Sequence, residues 1–491
     1  LLISLVILIL LSLFFLIVSY NEKIDNADIT RKQLDVLEFL DVFTATNTDE
    51  RLAKLQADHN NKAWLHLAQY HAEISSNTAY QLGIYFLNNQ DLNSAILWFQ
   101  SAVRQQHIEA RLALSIVYFD LQKYSEIQPL LLPIISNEKA LALLYRLALY
   151  QGNLSFIDTY KSKLRQSENT ALYKELEQYS VFSHNKDALQ NNNVISINLK
   201  STSALTSNCS VDVQLFATNL AGLRHGRALI SSFKQHKLSK YICLQAPKYI
   251  PIQAVNCQHS VVEKISCNAS VWLTRKDITA RYIGLIVEQG KANVDNGIMY
   301  IDQNDTFDVL VHELSHFIGF VDEYPLPKQH QKCQQVQGEA FSHNLVVLSE
   351  SYQGNKKSLR ESILSQVPWR SLIKDTTPIL SKSEQGWQLA TPKAHQDDIG
   401  LFIADTCLNG SNVQAFKPIS GRTKLEYFEL ALPEIYVNLF LLAPRHYLMP
   451  SYHYNISQNL VEKGEFSDAI KVLQVTSVSY THLTLPTIYS V

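Results

Sequence analysis

His312-Glu313-Leu314-Ser315-His316-Phe317-Ile318-Gly319-Phe320-Val321-Asp322-Glu323-Tyr324 reads H-E-x-x-H-x-x-G-x-x-D. Two histidines four apart fall on one face of a helix, one turn from each other. Imidazoles so placed can hold one Zn2+, with the glutamate between them set to act as a general base. Val309, Leu310 and Val311 before the motif, and Leu314, Phe317 and Ile318 within it, predict a buried helix with a polar stripe. Unpaired His and Glu are costly in such a place. Gly319 marks the helix end, because glycine takes a left-handed exit at little cost. Asp322 can then turn back as a third ligand, which leaves a fourth position for water. Glu323, Glu339 and His343 stay open as alternative third ligands. The bland competitor is a helix end with incidental His and Glu.

The thirteen residues resemble the zinc site of the metzincin clan of metallopeptidases, in the form with aspartate as third ligand. Asp322-Glu323-Tyr324 is also similar to the tail of this site in IgA-peptidase-like bacterial metallopeptidases. The resemblance implies a twisted sheet, an active-site helix carrying His312 and His316, and a C-terminal subdomain. It implies metal ligation by His312, His316 and Asp322. Glu313 would take a proton from water and pass it to the leaving amine. Ser315 is expected to be a packing residue, since no Gly-x-Ser-x-Gly elbow surrounds it. Metzincins place a Met in a tight turn beneath the metal, and Leu448-Met449-Pro450-Ser451-Tyr452 holds one of only two Met residues. Tyr452 beside it is a candidate catalytic hydrogen-bond donor to an oxyanion. A core Met with a surface Tyr is the plain alternative.

With 491 residues, 46% hydrophobic and 18% charged, the chain reads as two or three folded domains. A net charge of -2 argues against nucleic acid as the main partner. Residues 1–19 are an uncharged Leu/Ile-rich run, long enough at ~1.5 Å per residue to span a bilayer core. No small-residue cleavage site follows, so the expectation is an uncleaved signal anchor over residues 1–20. All six cysteines lie between positions 209 and 407, as disulfides of an oxidising compartment would. Nearness in sequence suggests Cys257–Cys267 and Cys333–Cys407.

Residues 21–59 read as a helical juxtamembrane connector. Over residues 60–180 one grammar recurs: Asn89-Gln90-Asp91-Leu92, Gln122-Lys123-Tyr124 and Gly152-Asn153-Leu154 each separate helical stretches. Gly83 and Ala95 against Tyr85 and Phe99 give the small–large alternation that two packed helices need. This stretch resembles degenerate tetratricopeptide or Sel1-like repeats, which implies a peptide-binding solenoid and a possible protein partner. An ordinary helical bundle is the alternative. Strands are expected at 194–199, 211–216, 241–244, 271–273, 283–287 and 297–301, with a helix over 220–236. Residues 194–450 form the expected peptidase domain. Within it, 325–430 is hard to read, with loops at Asp405-Thr406-Cys407 and Ala415-Phe416-Lys417-Pro418. Residues 451–476 repeat the helical grammar at Gly464-Glu465-Phe466. Residues 477–491 resemble a translated sequencing adapter and are set aside as an artefact.

The expected fold class is multidomain: an N-terminal transmembrane helix, an all-α repeat domain, then an α+β zincin-like metallopeptidase domain. The expected function is a membrane-anchored zinc metallopeptidase acting on proteins or peptides. Its bulk would lie on the periplasmic or extracytoplasmic side of a bacterial inner membrane. The competing class is a non-catalytic anchored scaffold for envelope assembly with a vestigial or structural zinc site. Hydrolysis of a cell-wall peptide or other amide shares the residues and differs in substrate.

Overall fold

The computed structural model describes residues 48–57, 61–183, 209–258, 262–275, 277–327, 330–384, 386–408 and 413–478. The expected fold class requires correction at its first element. Among the described residues no helix is long and apolar enough to cross a membrane. The longest, over Leu220–Phe233, has 14 residues, whereas a span needs about 20. The run expected to form the anchor, residues 1–20, lies outside the described residues, as does the strand expected at 194–199.

The chain divides into two compact units, between Leu144 and Tyr145. The first contains α1 (Thr48–Ala57), α2 (Asn61–His71), α3 (Ser76–Asn88), α4 (Leu92–Arg104), α5 (Ile108–Asp120) and α6 (Ile127–Leu131). The helices are joined by one recurring turn. A residue in the left-handed region ends a helix, and a capping side chain starts the next. Gln90 (φ 63°) precedes Asp91, whose carboxylate accepts from Ser94 N; Gln106 (φ 64°) precedes His107, which accepts from Ala110 N. Gln122 (φ 58°), in this unit, and Gly152 (φ 63°) and Gly464 (φ 78°), in the second, occupy the same place in their turns. Four of these five positions are the ones the repeated grammar singles out; Gln106 is the one it misses. Between α3 and α4, the buried small residues Ala79, Gly83, Ala95 and Ala102 surround Phe99. A Cβ on Gly83 would stand 2.4 Å from the Phe99 ring.

Helix α7 (Glu138–Tyr150) carries the division, and α8 (Leu154–Gln166) and α9 (Thr170–Gln178) belong to the second unit. That unit is built on a five-stranded sheet. β1 (Val211–Ala217) leads through α10 (Leu220–Phe233) to β2 (Ile242–Tyr249). The short α11 (Ile252–Val255) follows, then β3 (Tyr282–Val287), β4 (Asn293–Asp295) and β5 (Ile298–Asp302). The order is β2-β1-β3-β5-β4, with β4 antiparallel at the edge and the other pairings parallel. β3 is buried throughout, as a central parallel strand should be.

Side chains alternate across the sheet and define two faces. On the front, Tyr282 stacks on Phe317 of α12 (Phe307–Phe317), ring centroids 4.2 Å apart. Ile286 meets Gly222 and Gly226 of α10. On the back, Ile283, Leu285, Val287, Ile298 and Tyr300 join a core with Trp272, Ile265, Tyr452, Ile456 and Val472. Val271-Trp272-Leu273, expected as strand, is part of a 3-10 turn over Ala269–Thr274. Asn268 caps that turn, and the Trp272 ring packs on Phe216. Here a local cap and a tertiary contact override β propensity.

The hard-to-read stretch after Tyr324 forms two small antiparallel sheets. It contains β6 (Val346–Ser349), β7 (Ser351–Tyr352), α13 (Lys356–Leu364), β8 (Leu380–Ser383), β9 (Gly386–Leu389), β10 (Phe402–Ala404) and β11 (Val413–Lys417). Their orders are β10-β11-β6 and β7-β9-β8. Ala415-Phe416-Lys417, expected as loop, is the buried end of central strand β11. Its unbroken burial hides the alternation that marks half-exposed strands. Helix α14 (Glu434–Leu442) follows, then α15 (Tyr452–Glu462) and α16 (Phe466–Val478), a hairpin that shares the sheet's back core. Three disulfides are present: Cys209–Cys243, Cys257–Cys267 and Cys333–Cys407. They suit an oxidising compartment.

Gly83→Ala tests the tight seam between α3 and α4. Alanine is the better helix former by roughly 1 kcal/mol, yet its methyl group would press on Phe99. The expected result is a lower melting temperature on thermal denaturation; a rise would show that the seam has room.

Candidate metal centre

Beyond its partly exposed first turn helix α12 is buried, with Leu310, Val311, Leu314 and Phe317 inside. His312, Glu313 and His316 follow one another on its remaining face. The helix ends in a Schellman turn. Gly319 N donates to His316 O (3.1 Å) and Phe320 N to Ser315 O (3.2 Å). Gly319 has φ +86°, and a Cβ there would meet Tyr447 O at 2.4 Å. Both the left-handed backbone and the close approach therefore require glycine. Met449 lies against the same helix end: its N–H donates to Phe317 O, and its carbonyl accepts from the Tyr282 hydroxyl (2.6 Å).

The turn carries the chain back over the helix and brings Asp322 to the histidines. Asp322 Oδ1 lies 3.2 Å from His312 Nε2 and 3.4 Å from His316 Nε2. Among the described residues, these three are the group placed to share a metal ion, and no fourth His, Cys, Asp or Glu joins them. The tautomers follow from the far side of each ring. His312 Nδ1 is 2.8 Å from Lys424 O and His316 Nδ1 is 3.0 Å from Phe320 O. A carbonyl only accepts, so each Nδ1 carries the proton and each neutral ring turns its Nε2 lone pair toward Asp322. Asp322 Oδ1 is buried and accepts no hydrogen bond. Two imidazole lone pairs and a bare carboxylate oxygen thus converge, and a cation satisfies all three.

Electrostatics agree. Burial disfavours charge on Asp322, but the two histidines outweigh it and hold its carboxyl below the usual range. Burial also opposes charge on His312, yet Asp322 and Glu313 raise its pKa; without a metal, a proton can take the cation's place. Burial lowers His316. Glu313 is pushed up to about 8, chiefly by burial. Its Oε2 stands 3.9 Å from His316 Nε2.

The other candidates are placed elsewhere. Glu323 is fully buried and points away, accepting from Lys417 Nζ (3.1 Å), Thr423 Oγ1 (2.8 Å), Asn344 Nδ2 (3.0 Å) and the Tyr436 hydroxyl. Its N–H donates to Leu425 O. The stretch around Lys424, whose carbonyl orients His312, is therefore tied to the residue beside Asp322. Glu339 is exposed. His343 is buried among Phe320, Phe440 and Tyr447, with its pKa lowered to about 4 by burial and by His446. Tyr452 corrects the expectation of a catalytic donor. It lies in the back core, its ring on His453, across the sheet from α12. The alternation of β3 explains this, because Tyr452 packs with the residues that face away from Phe317. The tyrosine at the metal group is Tyr324, which hydrogen-bonds Asp322 and whose pKa rises mainly through burial. Its signal was its place inside the motif. Lys424 contributes a backbone carbonyl, for which no side-chain pattern exists.

A comparison with models of known protein families gives no match, and neither does one with curated proteins.

Glu313 links pH to stability in the metal-free chain. Its folded pKa, about 8, exceeds the ordinary ~4.3 of an unfolded glutamate. Its contribution is therefore complete below the unfolded pKa and is lost as pH rises through the folded one. With a chelator present, wild type should lose stability relative to Glu313→Gln between about pH 5 and about pH 8. Parallel denaturation curves for the two proteins across that range would contradict this.

Proposed function

We propose that the chain is a zinc-dependent peptidase, similar in its metal site to the metzincin clan. The observation that carries this reading is the convergence of His312 Nε2, His316 Nε2 and the bare Asp322 Oδ1 beside a buried glutamate on the same helix. Two imidazoles and one carboxylate are a donor set that suits Zn2+, and three protein ligands leave a position open, as catalytic zinc sites do and structural ones do not. Bound there, zinc would supply a Lewis acid that acidifies water and polarises a carbonyl.

The chain's own residues supply the rest. The Lys424 and Phe320 carbonyls fix the two rings, so neither ligand must reorient during a cycle. Tyr324 keeps its proton at neutral pH and holds the Asp322 carboxylate by its hydrogen bond. Glu313 is almost fully enclosed, and burial raises its basicity. A carboxylate of raised pKa accepts a proton from water at its oxygen and returns it to a leaving amine in the neutral range. The well-formed hydrogen bonds behind each ligand support a working site over a decayed one.

Glu313→Ala should keep about one zinc per chain while losing casein or peptide hydrolysis by at least ~100-fold. Asp322→Ala should lose the metal itself. Metal analysis with zymography, with and without chelator, reads both. Normal cleavage by Glu313→Ala would remove the glutamate from the mechanism, and chelator-resistant cleavage would remove the zinc.

A further inference from the structure

A lysine, an asparagine and a carboxylate meet in the interior of the second unit. Lys417, Glu323 and Asn344 are all buried, at 3%, 0% and 0% exposure. Two neighbouring strands bring the first pair together. β11 pairs antiparallel with β6, and Phe416 stands opposite Val346. Lys417, the last residue of β11, therefore lies beside Leu345 and Asn344, which lead into β6, at a strand spacing of about 4.8 Å. Glu323 enters from the chain that follows α12, and its two oxygens divide between the two nitrogens. Lys417 Nζ donates to Oε2 at 3.1 Å, and Asn344 Nδ2 donates to Oε1 at 3.0 Å.

Both partners of the lysine are held in place. Asn344 Oδ1 accepts from Val321 N (3.0 Å), and its Nδ2 also donates to Val321 O (2.9 Å). Thr423 Oγ1 donates to Glu323 Oε2 (2.8 Å), and the Tyr436 hydroxyl donates to Oε1. The fully buried Tyr436 ring packs on Phe320, centroids 5.5 Å apart. An amine, a carboxamide and a carboxylate touching both are the parts of an amide exchange. In water an ammonium does not attack an amide: its lone pair carries a proton, and the leaving nitrogen needs one. A single carboxylate in contact with both nitrogens meets both needs. Holding the groups together removes the entropic cost of their meeting, and enclosure keeps out water, the competing nucleophile.

We propose that Lys417 and Asn344 join in a side-chain isopeptide bond, with Glu323 carrying the protons and ammonia leaving. Glu323 first takes one proton from the Lys417 ammonium. The freed amine attacks Asn344 Cγ and forms the N–C bond, while charge gathers on Oδ1, where Val321 N donates. Glu323 then passes its proton to Nδ2 and takes a second one from Nζ. The C–Nδ2 bond breaks, and the products are a Lys–Asn amide, ammonia and a neutral Glu323; nothing is oxidised or reduced. A buried ammonium–carboxylate pair thus becomes a neutral amide and a neutral acid, which relieves the cost of burying charge. Glu426, which also accepts from Lys417 (3.3 Å), keeps Arg422 as its partner (3.2 Å). Neither a metal nor Glu313 takes part, so this inference stands apart from the peptidase reading.

The test is the mass of the full chain, purified, reduced, alkylated and unfolded. Wild type should be lighter than its sequence predicts by one ammonia. Its digest should contain a branched peptide in which tandem mass spectrometry finds Lys417 joined to Asn344. This result needs no variant to fold. Lys417→Arg and Glu323→Gln should show full mass and two separate peptides, with a cooperative melting transition as the check on folding. Wild type should also run ahead of Lys417→Arg on a reducing, denaturing gel, because its chain is closed between positions 344 and 417. Wild type of full mass, with the two peptides separate, would overturn the proposal. So would a missing ammonia that maps elsewhere, for example to a succinimide at Asn296-Gly297. A folded Glu323→Gln chain that still crosslinks would overturn the glutamate's part as proton carrier.

Discussion

The hydrogen bonds from His312 Nδ1 to the Lys424 carbonyl and from His316 Nδ1 to the Phe320 carbonyl place each ring's proton on the side away from Asp322. Everything at the site depends on that placement. The other tautomer would point Nε2–H at the carboxylate and present no lone pair to a metal. The two acceptors come from different parts of the chain. Phe320 is delivered by the turn at Gly319, which folds back only because Tyr447 passes close to a residue without a side chain. Lys424 comes from a hundred residues downstream and needs its own support.

That support is the buried carboxylate next to Asp322. Glu323 and Glu426 share Lys417, while Thr423, Asn344 and Tyr436 complete the bonding of Glu323. Buried charge is costly, and such a cluster contributes little net stability over an apolar one. Its effect is positional. Removing one partner would strand a charge in the interior, at a cost of about 3–5 kcal/mol, so the segment bearing Lys424 has few alternatives to its observed path. Lys424 adds its own tie, its ammonium reaching Asp308 in the first turn of α12 at 2.7 Å.

The quoted motif was readable because its chemistry is local. A helix period, a helix stop and three short-range donors all lie within eleven residues, and the structure brings those donors together. The left-handed turns at Gln90, Gln122, Gly152 and Gly464 were readable for the same reason, while the one at Gln106 escaped. Strands β3 and β5 showed as apolar runs just ahead of the motif. What stayed hidden is non-local. Tyr452 follows Met449 closely in sequence, yet the sheet lies between it and the metal group. Central strand β11 lacks alternation because it is buried on both sides. The roles of Glu323 and Lys424 arise from contacts across roughly a hundred positions, where no periodicity carries information.

The hairpin of α15 and α16 has a consequence for how the molecule is made. Ile456, Leu460, Ala469 and Val472 cover strands that end by Asp302. On the ribosome, those strands emerge long before their cover does, and their apolar back stays wet until α15 and α16 appear. The back of the sheet that carries α12 therefore closes only once that hairpin has been made. Until then a nascent chain is held short of its mature form, with chaperones as the natural custodians of the bare surface.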